Sequence, residues 1–438
     1  MLIEFRVKNF RSFRDEQVLS LVAGNIKDDS LEDNCFEAGK YKLLKTAAVY
    51  GPNASGKSNL IKAFGEMRQI VLESANNKPG DELPVVPYRL DAESEKKPTE
   101  FEVTFIHEKI RYQYGFAATR KRIKEEWLFV FPIGRARDSA QNWFERRYDR
   151  KTKKENWDFK SSFFKGQKQQ LKEATKPNAL FLSVAAQWNN KQLTTVYEWF
   201  QQSLQVLECR ARLLPVTADG LANPTLSEER RKYSHEFVEL FLQAADFGVS
   251  GVRVERREID KLSIPDDMPA EIWNDILKNI EKGESLVALK VEMLHDNLET
   301  GQKVRFLLED ESDGTQRLFE LAIPWLQAAL AGMTVVIDEL EARLHPLLTR
   351  ELVKFFQNVK NTKGAQLIFA THDTTLLDQE LLRRDQVWFT EKDEKGASHL
   401  YSMLDYKEHK ARVGEAMQKG YLAGRYGAVP ILKAFDIQ

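Results

Sequence analysis

The chain has 438 residues, which suggests roughly two to three domains, or one large domain with an insertion, and either can bury a sizeable core. Apolar residues make up 42% and aromatics 11%, which excludes wholesale disorder. Lys and Arg number 65 against 66 Asp and Glu, so the net charge of −1 excludes a global basic field for nucleic acid but leaves room for a local patch.

The opening MLIEFRVKNFRSF carries charge from Glu4 onward and has no apolar h-region, so it does not read as a signal peptide. LIEFRV reads as a strand, QVLSLV as a second, and 25–42 as a polar loop. Cys35 in that loop and Cys209 are far apart and form no CxxC, which argues against a disulfide framework or a Cys-rich zinc site and fits a reducing compartment. LLKTAAVY, ending at Gly51, has the pattern of a buried strand. In NLIKAFGEMRQIVLES, Leu60, Ile61, Phe64, Met67, Ile70 and Val71 recur at helical spacing. Residues 72–98 hold prolines and many charges and read as loop. FEVTFI, IRYQYGFAA, WLFVF and WFERRY follow as antiparallel strands.

Residues 109–176 carry 19 Lys and Arg against 8 Asp and Glu, interleaved with Trp127, Phe129, Trp143, Phe144, Tyr148, Trp157 and Phe163. Two readings stand side by side: a nucleic-acid footprint of cations and stacking rings, or a strand-rich lobe with core aromatics and solvated charges. The 178–245 stretch is expected to be helical, through YEWFQQSLQVL and HEFVELFLQAA, and a further helix is expected at 271–283. LVALKVEML and KVRFLLE read as strands. From 311 onward helix and strand alternate, the α/β signature. The longest uncharged stretch, 321–337, is shorter than the ~20 residues a membrane span needs and contains Pro324, so no membrane association is expected and the chain reads as soluble and cytoplasmic.

Gly51-Pro52-Asn53-Ala54-Ser55-Gly56-Lys57-Ser58 fits GxxxxGK[ST] between a buried strand and a helix. The glycines let the backbone approach phosphate oxygens, and successive N–H groups with the helix N-terminus supply partial positive charge. Asn53, Ala54, Ser55, Gly56 and Asn59 line this turn. Lys57 is placed to reach the β- and γ-phosphates of a nucleoside triphosphate, and Ser58 to bind Mg²⁺. Thr334–Ile337 is an apolar strand ending in Asp338 and Glu339, either a helix N-cap or a catalytic pair in which Asp338 serves Mg²⁺ and Glu339 polarises the attacking water. Ser312 and Gly314 open a helix, as caps or as phosphate contacts, and QLIFATHD ends a strand at His372. His235-Glu236 lacks the second His of HExxH, no D-x-D pair occurs, and the histidines form no HNH-like cluster, so nuclease or zinc chemistry is not expected in this chain.

In this order the motifs resemble the ATP-binding cassette ATPases, and within them heads of the RecF and SMC type. NFRSF resembles the first-lobe motif of that subgroup, SDGTQR its signature, DELEARLHP its Walker B and D-loop, and THD its switch histidine. ESDGTQRLFEL, DELEARLHPLLTRELVKFF and KGYLAGRYGAVPIL resemble the stand-alone AAA-type ATPases of bacterial abortive-infection and restriction-linked loci, of the kind associated with Septu and retron phage defence. The resemblance spans roughly 1–65, 98–130 and 285–438. It implies an α/β P-loop NTPase with an ABC/SMC-type ATPase head, an antiparallel β lobe plus a parallel-sheet lobe, and an inserted helical and β region. Residues 1–130 would form the N-terminal part of the head, 131–284 the basic insertion, and 285–438 the C-terminal part of the head. It further implies two copies stacked head to tail around ATP and Mg²⁺, with Ser312 and Gly314 of one meeting the γ-phosphate held at Lys57 of the other. Arg11 would contact nucleotide, and Glu341 and His345 would lie in the D-loop at the dimer seam.

The sequence departs from that pattern in places. The signature is not LSGGQ, and no Q-loop glutamine is found. At its place stands Pro98-Thr99-Glu100, where either the Glu substitutes or the contact is absent. Long coiled-coil arms are missing. The expected role is an ATPase controlling a separate effector, a nuclease or toxin, in antiphage defence. The alternative is a RecF-like DNA-binding repair ATPase. NFRSF, the altered signature and the inserted middle oppose a transporter subunit.

Overall fold

The computed structural model describes residues 1–26, 29–132, 140–159, 163–207, 214–245, 248–259, 286–358, 363–405 and 417–430; Cys209 and the helix expected at 271–283 lie outside these. In chain order the chain forms β1 (Leu2–Lys8), β2 (Gln17–Ser20), β3 (Cys35–Ala38), β4 (Tyr41–Leu44), β5 (Thr46–Tyr50), α1 (Lys57–Glu73), β6 (Thr99–His107), β7 (Ile110–Thr119), β8 (Arg122–Pro132), β9 (Gln141–Asp149) and β10 (Lys154–Asp158). Then come α2 (Lys168–Ala174), α3 (Phe181–Gln187), α4 (Lys191–Glu198), β11 (Leu204–Leu207), α5 (Leu214–Ala222), α6 (Glu228–Gln243), β12 (Val249–Ile259), β13 (Leu286–Asp296), β14 (Lys303–Leu307) and α7 (Asp313–Ala331). The last elements are β15 (Thr334–Ile337), α8 (Pro346–Asn358), β16 (Gln366–Ala370), β17 (Val387–Lys392), β18 (Ser398–Ser402) and α9 (Met417–Leu422).

Two compact units result: Met1–Cys209 with Ala328–Ala342 and Thr349–Gln438, and Arg210–Gln327 with Arg343–Leu348. The first holds a seven-stranded antiparallel sheet, β10-β9-β8-β7-β6-β1-β2, and a six-stranded sheet, β11-β15-β16-β5-β17-β18. The second sheet is parallel except for the final hairpin β17–β18. Every residue of β5 is buried, as a central parallel strand covered on both faces requires. The apolar stripe of α1 joins the two sheets into one core. Phe64 stacks on Phe5 of β1 with centroids 3.7 Å apart, and Trp199 stacks on Phe105 of β6 at 3.9 Å.

Two local expectations are corrected. In YEWFQQSLQVL, α4 gives way to a π-helical turn at Trp199–Ser203, and Leu204–Leu207 becomes a strand parallel to β15. Full burial of Trp199 and Phe200 ends the helix, and the edge of β15 offers main-chain partners that a helix would leave unused. The predicted loop at 25–42 contains the β3–β4 hairpin, turned at Gly39 (φ +64°).

The basic stretch builds β7 to β10 and α2. Trp143, Phe144, Trp157 and Phe163 pack into the core, so these rings do not form an open stacking platform. Arg146 is itself buried. Its Nε donates to Glu126 at 3.0 Å, and that fully buried carboxylate also accepts Tyr114 Oη–H and the N–H groups of Phe181 and Leu182 at 3.0, 2.8 and 3.0 Å. Burial raises the Glu126 pKa against the opposing pull of Arg146 and these donors.

In the second unit α5 and α6 pack on the antiparallel sheet β12-β13-β14. Ser227 caps α6 by accepting the Arg230 N–H at 3.3 Å. Among the described residues no helix is long and apolar enough to cross a membrane.

Candidate functional site

The turn after β5 has no room for side chains at two positions. A Cβ on Gly51 (φ +152°) would lie 2.3 Å from the Thr390 carbonyl, and one on Gly56 (φ +124°) 2.7 Å from Ser398 Oγ. Ala54 also takes a left-handed φ of +62°. Between them Ser55 Oγ lies 2.6 Å from Thr390 Oγ1, so β17 buttresses the loop. Asn53 and Ala54 are exposed at the tip. Asn59 Nδ2 donates to Ser12 Oγ at 2.8 Å, tying the start of α1 to the NFRSF segment.

Lys57, the first residue of α1, bends back over this loop. Its Nζ donates to the Gly51 carbonyl at 2.7 Å and the Pro52 carbonyl at 3.1 Å. Burial pulls its pKa down to about 8, with the negative charges of Asp338, Glu341 and Glu339 resisting. The turn therefore folds its main chain, with positive φ at Gly51, Ala54 and Gly56, around one ammonium.

The acidic side follows β15. Asp338 N donates to the Leu207 carbonyl at 3.1 Å, which carries the chain past the end of the sheet. The next helix, α8, starts only at Pro346, so Asp338 and Glu339 do not cap a helix. Asp338 is 8% exposed, and its carboxylate accepts a hydrogen bond from the Ser58 hydroxyl. Burial raises its pKa, Ser58 opposes, and Glu339 adds to the rise. Asp338 Oδ1 is buried with no hydrogen-bond partner among the described residues. A buried carboxylate oxygen held ready beside a hydroxyl is the donor set a hard cation takes, and Ser58 with Asp338 fits Mg²⁺ on that ground. Among the described residues no group of three or more His, Cys, Asp or Glu side chains could hold a metal by itself, so phosphate oxygens and water would have to complete such a shell.

Glu339 adopts φ +50°, a left-handed turn that brings Glu341 back toward β16. Glu341 Oε1 accepts the His372 N–H at 2.5 Å. Desolvation lowers the His372 pKa and Lys57 lowers it further, with Glu341, Glu339 and Asp338 opposing, so the ring is held toward its neutral form. Lys57, Ser58, Asp338, Glu339, Glu341 and His372 thus come together in the first unit.

The other expected residues are placed differently. Arg11 is paired to Glu66 on α1, with Nη2 at 2.5 Å from Oε1. Glu100 faces Lys8 at 3.3 Å. Ser312 and Gly314 belong to the second unit, where Ser312 Oγ accepts the Thr315 N–H at 3.2 Å and caps α7. His345 belongs to that unit as well, and its Nδ1 accepts the Leu347 N–H at 3.2 Å.

Several site residues carry no sequence signal. Thr390 and Ser398 are single hydroxyls on short strands, and Tyr50 is one apolar residue in a buried run. The tail docks beside them. Tyr421 and Tyr426 both stack on Phe389, at 5.5 and 5.7 Å, and Gln418 N donates to the Leu377 carbonyl at 3.2 Å.

The family model described as "AAA domain, putative AbiEii toxin, Type IV TA system" matches residues 47–378, which contain the phosphate loop, the Asp338–Glu339 strand end and His372. No curated protein matches the chain. Among solved structures, an SMC head bound to the C-winged helix domain of ScpA is 12% identical with a TM-score of 0.39, covering 92% of this chain and 97% of that one. The SMC head domain from Thermotoga maritima is 12% identical with a TM-score of 0.38, covering 92% and 98%. An SMC head with an extended coiled coil from Pyrococcus furiosus, bound to the C-terminal domain of ScpA, is 12% identical with a TM-score of 0.36, covering 92% and 96%. The fold is mixed α/β, with an antiparallel and a largely parallel sheet, and the family match covers both the phosphate loop and the strand end at Asp338.

Proposed function

The chain belongs to this AAA family, and from that premise we propose that it binds and hydrolyses ATP as a nucleotide-dependent switch controlling a separate effector, a nuclease or toxin, in antiphage defence. The observation that carries the reading is the convergence of the Lys57 cradle with the unpartnered Asp338 oxygen beside Ser58. Mg²⁺ would supply charge neutralisation for the phosphates, and Ser58 and Asp338 would hold it. Lys57 neutralises the phosphate oxygens, and the loop N–H groups orient them. Glu339 takes a proton from the attacking water, and neutral His372 donates to the γ-phosphate. Ser312 and Gly314 of a second copy complete the site head to tail, in a cytoplasmic dimer or larger oligomer. Arg11 reaches nucleotide only after leaving Glu66, and Glu341 and His345 stand near the seam.

The depressed Lys57 pKa gives a pH dependence with a definite sign. Below pH 8 the free protein already carries the ammonium that phosphate needs, so ATP affinity is level. Above pH 8 a proton must be taken up on binding, and the Kd for ATP rises by up to about tenfold per pH unit. Calorimetric titrations between pH 6.5 and 9.5 check this, and a flat profile contradicts it.

A second reading, a RecF-like DNA-binding repair ATPase, is favoured by one observation. The β8–β9 and β9–β10 registers bring the turns at 119–122 and 149–154 to one end of the sheet, where Lys121, Arg150, Lys151, Lys153 and Lys154 are exposed. One purification separates the readings. ATPase activity without nuclease, ATP-dependent dimerisation and a stable complex with the product of the neighbouring gene support the switch. Tight, ATP-dependent duplex binding that falls steeply with salt supports repair. Nuclease activity of the lone, clean chain overturns the division of labour.

A further inference from the structure

We propose that Glu341 and Tyr50 are positioning residues that hold the His372–Asp373 main chain from its two sides and thereby set where the His372 ring stands; this deepens the ATPase reading and rests on it. The ladder of β16 ends just before this segment. Leu340 N donates to the Ala370 carbonyl at 3.3 Å and Thr371 N to the Val49 carbonyl at 3.1 Å. Beyond them the segment's own bonds are local: Asp373 N donates to Thr371 Oγ1, and Asp373 Oδ1 caps Thr375. Among the described residues, two long-range hydrogen bonds hold the His372–Asp373 main chain. The Glu341 carboxylate accepts the His372 N–H at 2.5 Å, a charge-assisted bond spanning 31 residues. The Tyr50 hydroxyl donates to the Asp373 carbonyl at 3.1 Å, spanning 323 residues.

Both ties are themselves held in place. Tyr50 is 1% exposed and directly precedes Gly51, and its ring packs against Tyr421 at 5.8 Å and Phe389 at 6.5 Å. Glu341 is delivered by the left-handed turn at Glu339, closed by the Ala342 N–H to the Glu339 carbonyl at 2.9 Å. Tyr50 therefore couples the phosphate loop to the His372 segment, and Glu341 couples the Asp338–Glu339 turn to it. Glu341 Oε2 is buried with no partner among the described residues, so the carboxylate keeps a second acceptor in reserve. The sequence resemblance puts Glu341 at a seam between copies. The contact seen lies within one chain.

The test uses the full chain with Glu341→Ala, Glu341→Gln and Tyr50→Phe. It reads steady-state kcat and KM for ATP, and amide hydrogen exchange of a peptide covering 371–377. Glu341→Ala is expected to lower kcat by at least about tenfold with KM within about twofold, because geometry and not ground-state binding is lost. It also speeds exchange at the His372 amide by at least about tenfold. Glu341→Gln restores both, since its amide carbonyl accepts the same bond. Tyr50→Phe falls between. Unchanged exchange in Glu341→Ala, or a Gln variant as impaired as Ala, overturns the assignment. If the wild-type chain does not turn over ATP, the ATPase reading fails while the exchange measurement still decides the clamp.

Discussion

Lys57→Ala is expected to weaken ATP binding by at least about a hundredfold while leaving the fold intact. In the free protein the ammonium sits on the Gly51 and Pro52 carbonyls, 2.7 and 3.1 Å away, so no other group is recruited to hold it. Phosphate oxygens entering the cradle take over those contacts as charge-assisted hydrogen bonds in a partly desolvated site, and truncating one side of such a pair costs about 2–5 kcal/mol. Alanine also leaves the negative charges of Asp338, Glu339 and Glu341 without the cation that offsets them, which repels a polyanion further. Titration calorimetry with ATP and Mg²⁺ measures the loss, and a thermal melt close to wild type shows that the cradle, not the fold, was removed. A Kd within threefold of wild type would sink the site.

Glu339→Gln should separate binding from turnover. The side chain keeps its size and its acceptor oxygen but cannot take a proton, so a loss of about a hundredfold or more in kcat is expected with ATP affinity retained. Glu339 stands directly after Asp338 at the end of a fully buried strand, on a left-handed turn with the next helix starting only at Pro346, so its position does not answer to capping. With hydrolysis blocked, the proposed ATP-loaded dimers are expected to accumulate. Phosphate-release kinetics and light scattering with and without ATP read the two effects, and a variant that hydrolyses at the normal rate removes Glu339 from the chemistry.

What was legible in the chain of letters was contiguous. Gly51, Gly56, Lys57 and Ser58 are read from spacing because the physics of a phosphate loop is local: close backbone approach, left-handed φ values and a helix N-terminus all fall within eight residues. The same holds for β5, β15 and β16, whose unbroken apolar runs announce central parallel strands. Where local pattern was ambiguous it misled. Leu204–Leu207 reads as the end of a helix, and only the free edge of β15 turns it into a strand. The aromatics of the basic stretch suit stacking or core equally until the β8–β9 register and the Glu126–Arg146 pair direct Trp143, Phe144 and Trp157 inward.

The sequence by itself therefore determined the glycine-rich lysine turn, the order of the motifs and the alternation of helix and strand, since each depends on neighbours a few residues apart. Tertiary structure alone decided that Thr390 and Ser398 wall the cradle, that Arg11 lies on Glu66, and that Glu341 and Tyr50 grip the His372 segment. Those contacts join positions up to 340 residues apart in the chain, and their existence follows from strand order and register, which no short window of residues encodes.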